Sequence, residues 1–390
     1  MGALRVFLIA GEASGDRLGA ALMAGLKSLR EVEFHGVAGP LMQAEGMQSL
    51  FPMEELSVMG LAEILPKYRH LKRRIEQTAQ AVLAARPDVL ITIDSPDFCL
   101  RVARRVRAAS TIRTVHYVAP TVWAWRPGRA GKMAQVVDQV LALFPFEPPY
   151  MEAAGMRCDF VGHPVVSEPV ASEAEAEGFR AAHGLGDAPL LLLLPGSRRG
   201  EVGRLMPVFT DVCARLHGDL PGLRVVIPAV AHVADMIGEA TGGWPVAPLI
   251  LDPRQADPAE FAADKRAAFR AADVALAASG TVSLELAASA TPMVIAYDMS
   301  WLSRQIIARM LQVDTVTLVN LVSDTRAVPE FIGARCRPDL IAPAVRQVMA
   351  DPQAQRAAMD LTMDRLGRGQ AAPGLRAATA VLSGLADSAG

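Results

Sequence analysis

Residues 4–22 read LRVFLIAGEASGDRLGAAL. An apolar run, Leu4–Ala10, closes in the small-residue turn Gly11–Gly15. A helical pattern then continues to Leu29. A short apolar segment ended by a glycine turn and followed by a 3.6-residue period reads as a buried strand feeding a helix. The unit recurs. Val89–Ile93 is a second such strand, Thr114–Val118 a third after a helix starting near Ser95, and Val136–Leu143 contains a fourth. Short apolar strands alternating with helices specify a parallel sheet covered on both faces.

The acidic, Ala/Glu-rich segment Val166–Asp187, with Pro164 and Pro169, breaks the cycle and reads as a linker plus a helix. A new cycle opens at Leu190–Leu194 and runs through Arg224–Ile227, Val274–Ala277 and Met293–Ala296. The fold class is therefore α/β, with two Rossmann-like doubly wound domains facing a cleft. The expected boundaries are 1–165 for the first domain and 166–337 for the second. An Ala-rich helical tail, 338–390, is expected to pack back on the first domain or on a partner subunit. A chain of 390 residues suits two domains of roughly 100–200 residues each.

The charge balance excludes one class of partner. With 39 Lys+Arg against 41 Asp+Glu, the net charge is −2, and no basic field gathers nucleic acid. The four cysteines, Cys99, Cys158, Cys213 and Cys336, are scattered. They form neither a C-x-x-C pair nor a metal-ligand spacing, so the sequence reads as a disulfide-free chain of a reducing cytoplasm. Neither a signal-peptide pattern nor an apolar run near the ~20 residues of a spanning helix is present.

GEASGD is not G-x-G-x-x-G, and it lacks the Lys-Ser/Thr ending of a Walker loop. Its Glu12 and Asp16 would repel a pyrophosphate. Ser14 is placed to cap the following helix, and Gly15 allows close backbone approach. The turn reads either as a capped βα connection or as a polar wall for a hydroxyl-rich ligand. The second domain carries the better anion site. LLLLPGSRRGEV places Gly196, Ser197 and Arg198 between a strand and a helix start near Glu201, where backbone N–H groups and a guanidinium fork face an anion. AASGTVSLELA adds Ser279, Gly280 and Thr281, with Glu285 one turn on, placed to accept ribose hydroxyls. Together the two loops point to a bound nucleoside diphosphate.

In VLITIDSPDF, Ser95 reads as an N-cap, Pro96 as the first helical residue, and Asp97 as a first-turn acid favoured by the helix dipole. Asp94 caps nothing. At the carboxyl end of its strand it is the candidate general base. His116 and His163 are the other titratable candidates, each also readable as a satisfied core histidine.

These pieces, with GVAGPLMQAEGM, MGLAEIL, HYVAPTVWAWRPGR, FPFE, VGHP and LVNLV, resemble the lipid-A-disaccharide synthase family in order and spacing, to about residue 335. The resemblance implies an inverting GT-B glycosyltransferase that needs no cofactor and no metal. Its donor would be UDP-2,3-diacylglucosamine and its acceptor 2,3-diacylglucosamine 1-phosphate. It places the donor's UDP on Gly196, Ser197, Arg198, Ser279, Gly280, Thr281 and Glu285. It adds Asn320 to that pocket, although Val319 stands where the family more often has Pro. It puts the acceptor near Ser14, Gly15, Asp94, Asp97 and His116, with Asp94 as base. It also raises a homodimer exchanging C-terminal segments. Acylated substrates call for a membrane-facing surface at the inner face of the cytoplasmic membrane. Leu56–Leu65 beside Lys67, Arg69, Lys72, Arg73 and Arg74 fits an anionic bilayer. Residues 299–313, with Trp301, Ile306, Ile307 and Met310 among Arg304 and Arg309, are similar. Trp123 and Trp125 beside Arg126 and Arg129 suit lipid, the acceptor phosphate or plain packing. The competing readings are a UDP-sugar epimerase of similar fold and a peripheral nucleotide- or lipid-binding protein. A Rossmann oxidoreductase is weakest, for want of G-x-G-x-x-G.

Overall fold

The computed structural model describes residues 2–56, 61–123, 128–299 and 313–389, without the side chains of 61–68, 388 and 389. The chain divides into Met1–Ser167 with Leu366–Gly390, and Glu168–Arg365.

Each unit holds one six-stranded sheet, parallel throughout. In the first, β1 (Leu4–Ala10), β2 (Val32–Val37), β3 (Val89–Ile93), β4 (Arg113–Tyr117), β5 (Gln139–Ala142) and β6 (Arg157–Phe160) lie in the order β2-β1-β3-β4-β5-β6. In the second, β7 (Leu190–Leu194), β8 (Arg224–Pro228), β9 (Leu249–Leu251), β10 (Val274–Ala278), β11 (Met293–Tyr297) and β12 (Glu330–Ile332) lie in the order β12-β11-β10-β7-β8-β9. Every residue of β3, β7 and β10 is buried. This follows from covering both faces of a parallel sheet with helices, and it is why these strands read as unbroken apolar runs. The edge strand β2, VEFHGV, is half-exposed along most of its length and carries no such run.

In both sheets the chain winds first to one side and then returns to the other. The reversal opens a crevice beyond the carboxyl ends of β1 and β3 in the first unit, and of β7 and β10 in the second. All the motifs singled out above that follow β1, β3, β7 and β10 sit at these two points.

The expected tail from 338 is not one piece. Helix Pro338–Ala350 packs on helix Arg199–Asp219, and helix Gln353–Arg365 on helix Leu318–Ser323, both in the second unit. Gln355 fastens the latter by accepting from the Met293 N–H at 2.8 Å and donating to its carbonyl at 2.9 Å. The boundary therefore falls at Leu366. Only helix Pro373–Ala389 returns to the first unit, against helix Ala13–Leu29. Their crossing needs glycine. A Cβ at Gly374 would lie 2.4 Å from the Ala21 carbonyl oxygen, and one at Gly25 would lie 2.6 Å from that of Gly374.

Asp16 belongs to this framework and not to a ligand wall. It is 2% exposed, and its carboxylate accepts backbone N–H groups from Gly39 at 3.0 Å, Leu41 at 2.9 Å and Met42 at 3.0 Å. It thereby satisfies the orphan donors of helix Pro40–Ala44. Asp16→Ala strands those three donors and should lower stability by about 3 kcal/mol. Urea unfolding checks this, and an unchanged midpoint would contradict it.

Candidate active site

The turn after β3 is strained. Asp94 and Ser95 adopt left-handed φ values of 49° and 43°, and Val118, at the end of neighbouring β4, has φ 84°. Non-glycine residues hold such angles only where surroundings impose them, at roughly 1–3 kcal/mol each. The Asp94 N–H donates to the Tyr117 carbonyl at 2.9 Å and the Val118 N–H to that of Leu141 at 3.0 Å, which pins both turns to the next strand. The strain leaves Asp94 half-buried at the mouth of the β1–β3 crevice. Burial, and then the Glu12 carboxylate across the crevice, push its carboxyl above the usual Asp range. A second carboxylate facing Asp94 disfavours its charged form.

Two assignments at these turns change. Glu12, not Ser14, is the N-cap of helix Ala13–Leu29, and it makes no side-chain cap bond. Ser14 is exposed and donates its hydroxyl to Glu12 Oε1. Ser95 does hold the N-cap position of helix Pro96–Ala109, yet its side chain makes no cap bond. It lies against Gly11, where a Cβ would meet Ser95 Oγ at 2.3 Å. Gly15 is buried against Ala10 and Ile93. Asp97 is exposed in the first helical turn.

His116 does not reach this crevice. It is 1% exposed inside β4, Nδ1 lies 2.7 Å from Thr92 Oγ1, and burial lowers its pKa to about 4. It is a neutral core histidine. His163 is similar: its Nδ1 accepts the Val165 N–H at 3.2 Å, and burial lowers its pKa to about 4. Glu147 carries a signal beyond simple sequence reading. It sits in FPFE after β5, is 3% exposed, and accepts the Leu143 and Phe144 N–H groups at 3.1 and 3.0 Å. Burial pushes its carboxyl up to about 8. The acid shapes a turn that presents Phe144 stacked on Phe146 at 5.4 Å, with Trp123 edge-on to Phe146 at 5.1 Å. Trp125 and Arg126 lie outside the described residues, as do 300–312, which contain Trp301, Arg304, Ile306, Ile307, Arg309 and Met310.

In the second unit, Pro195 and Gly196 follow β7, and helix Arg199–Asp219 begins three residues beyond Gly196. Gly196 has φ 106°, and a Cβ there would meet Glu201 Oε2 at 2.7 Å. Glu201 curls back over the turn. Its Oε2 accepts the Ser197 and Arg198 N–H groups, both at 3.3 Å, and its Oε1 takes Arg198 Nη1 at 3.2 Å. These are long bonds to donors that an incoming anion can claim. The Arg198 side chain is 66% exposed, so its guanidinium can leave Glu201 for a ligand. The sequence offered the clue in Glu201, the third residue of the helix and a capping-box position. After β10, Ser279 is half-exposed, while Gly280 and Thr281 are exposed ahead of helix Val282–Ala288. Glu285 is half-exposed and pairs through Oε2 with Lys265 Nζ at 2.8 Å. Asn320 differs from expectation. It is 1% exposed and fully bonded: Nδ2 donates to Thr315 Oγ1 at 3.2 Å and to the Val328 carbonyl at 2.9 Å, and Oδ1 accepts the Val328 N–H at 3.0 Å. Its amide ties helix Leu318–Ser323 to Val328, just ahead of β12.

The first unit has a cavity of about 1000 Å³ running from Glu12 and Ser95 along helix Pro96–Ala109. Among the described residues no group of His, Cys, Asp and Glu could hold a metal ion. Replacing Glu12 by Gln should move the Asp94 titration midpoint toward the ordinary carboxylate value. Carboxyl NMR titration reads this, and an unmoved midpoint would show that Glu12 exerts no field there.

A family model described as lipid-A-disaccharide synthetase matches residues 6–381. The lipid-A-disaccharide synthase of Ruegeria pomeroyi is 66% identical over 98% of this chain and 96% of its own length. That of Rhodospirillum centenum is 49% identical over 97% and 94%. Among solved structures, a UDP-N-acetylglucosamine 2-epimerase from Neisseria meningitidis bound to UDP-GlcNAc aligns at TM-score 0.63 and 11% identity, covering 98% of this chain and 100% of that one. A calicheamicin glycosyltransferase aligns at 0.57 and 17%, covering 100% of both. These structural likenesses show a shared two-domain α/β fold.

Proposed function

We propose, for a chain that belongs to the lipid-A-disaccharide synthetase family, that Asp94 is the general base and that the turns Gly196–Arg198 and Ser279–Thr281 receive the donor's diphosphate. The reaction itself is the family's. UDP-2,3-diacylglucosamine and 2,3-diacylglucosamine 1-phosphate give the β-1,6-linked lipid A disaccharide 1-phosphate and UDP. An epimerase of similar fold is not favoured at 66% identity to a synthase.

A sugar hydroxyl is a weak nucleophile and needs a base in hydrogen-bond reach. In this reading the acceptor's 6-hydroxyl gives its proton to Asp94 as its oxygen bonds to the donor's anomeric carbon. The bond from that carbon to the diphosphate breaks, and the electron pair leaves with UDP. Attack opposite the leaving group inverts the anomeric centre. The observation that carries the assignment is the strained turn that leaves a half-buried carboxyl, raised by burial and by Glu12, at the carboxyl end of β3. A raised proton affinity makes a stronger base.

On the donor side, charge growing on the leaving diphosphate would be met by Arg198, by the Ser197 and Arg198 N–H groups, and by the hydroxyls of Ser279 and Thr281. Glu285, which pairs with Lys265 through Oε2, would accept a ribose hydroxyl at Oε1. Ser14 and Asp97 flank the acceptor side.

Contact with an anionic membrane is part of the proposal. Lys72 and Arg73 are exposed on helix Leu61–Ala85, as is Arg69. Arg74 is not part of that surface. It bonds Glu55 at 2.7 and 2.8 Å and lies 4.4 Å over the Phe51 ring. No helix among the described residues is long and apolar enough to cross a membrane.

Asp94→Ala should cut transfer by about 10²–10⁴-fold while leaving UDP affinity within twofold. Arg198→Ala should weaken UDP binding by about 10- to 100-fold. Coupled UDP-release assays and calorimetry measure both. Full activity in the first variant removes Asp94 as base, and unchanged affinity in the second removes Arg198 from the donor site.

A further inference from the structure

We propose that the groove between helices Leu61–Ala85 and Pro96–Ala109 holds an acyl chain of the acceptor lipid and sets the chain length the enzyme prefers. The inference rests on the transferase reading above. The groove begins at Glu12, Ser95 and Asp97, beside the proposed base, and continues past Leu71, Ile75, Phe98 and Leu100 to Ala108. Its apolar lining, Leu71, Ile75, Phe98 and Leu100, is buried or half-buried, the exposed Lys72, Arg101 and Arg104 stand beside it, and its start is the polar crevice. That is the layout an amphiphile needs when its sugar reacts and its tail must be kept from water.

Length supports one chain lying along the groove. Twelve residues separate Pro96 from Ala108, so the helix advances roughly 18 Å along this wall. With C–C bonds of ~1.5 Å meeting at ~111°, an extended alkyl chain advances about 1.25 Å per carbon, and ~18 Å accommodates about 14 carbons. The cavity volume of about 1000 Å³ leaves room for that chain and for part of a second.

Charge supports the acceptor over the donor as the source. Lys72, Arg101, Arg104 and Lys132 line the groove and make no ion pair among the described residues, whereas Arg105 is paired with Glu76 at 2.9 Å. Four cations without protein counter-ions beside an apolar trough complement a lipid with an anionic head. The acceptor carries a 1-phosphate, and the groove opens on the same unit as Asp94. The donor's charge lies in its diphosphate, which the turns of the other unit serve.

The test varies chain length on each substrate separately. Each methylene withdrawn from water is worth about fourfold in affinity. The wild-type protein should therefore bind a 6-deoxy, tetradecanoyl acceptor at least tenfold more tightly than its decanoyl counterpart. The 6-deoxy compound cannot react, so binding is read independently of turnover. Ala108→Trp, at the exposed far end of the groove, and Leu71→Trp, midway along it, should abolish that preference with melting temperature unchanged. Removing the 1-phosphate should weaken binding about tenfold in all three proteins. In turnover, the same variants should change kcat/KM with acceptor chain length and not with donor chain length. Retained tetradecanoyl preference in both folded variants overturns the groove assignment. A preference that follows the donor chain instead shows that the groove serves the donor, and it also overturns the proposal. Failure of the wild-type protein to form disaccharide would strike the function itself, which the binding arm does not use.

Discussion

The reversal of strand order in a parallel sheet is the constraint on which this molecule turns. Where successive βα connections leave in opposite directions, no helix covers the carboxyl ends of the two diverging strands, and a crevice remains. Each unit has one. Of the side chains that follow β1, β3, β7 and β10, those of Glu12, Asp94, Ser95 and Ser279 are half-buried and that of Arg198 is exposed. The backbone must turn sharply to re-enter a helix. Strain and half-burial thus arise at the same places for a single geometric reason.

The two crevices are filled with opposite chemistry. The first gathers carboxyls: burial and the Glu12 carboxylate raise the cost of ionising Asp94, and left-handed residues lock the turn that carries it. The second gathers donors. Gly196 lets the chain pass under Glu201, whose carboxylate holds the Ser197 and Arg198 N–H groups at a weak 3.3 Å, the contact we propose an anion displaces. A base and an anion receptor are the two devices that glycosyl transfer from a nucleotide sugar requires. The fold supplies a place for each without dedicating a further element to either.

Much of this was legible in the sequence because burial on both faces writes itself as uninterrupted apolar runs. The strands β1, β3, β4, β5, β7, β8, β10 and β11 could be read directly. Strands β2, β6, β9 and β12 could not, since all four lie at sheet edges and carry no long apolar run. Site residues divided along a similar line. Groups at strand ends, such as Asp94 and Arg198, were visible by position. Those whose role depends on a distant partner were not. Asp16 is tied to the Gly39–Met42 backbone, Asn320 to Val328, and His116 to Thr92, and no local pattern announces any of these pairings. The tail boundary was misplaced for the same reason, as Gln355 reaches 62 residues back to Met293.

The central claim is that the raised carboxyl of Asp94 is the group whose ionisation switches the chemistry on. The most direct measurement is the pH dependence of kcat/KM for disaccharide formation, set beside the carboxyl titration of Asp94, in the wild-type protein and in Glu12→Gln. Activity requires the unprotonated base, so it should fall as pH drops through the Asp94 midpoint. That acid limb should move to lower pH in Glu12→Gln by the same amount as the titration does. A limb that stays in place while the Asp94 titration shifts would contradict the account.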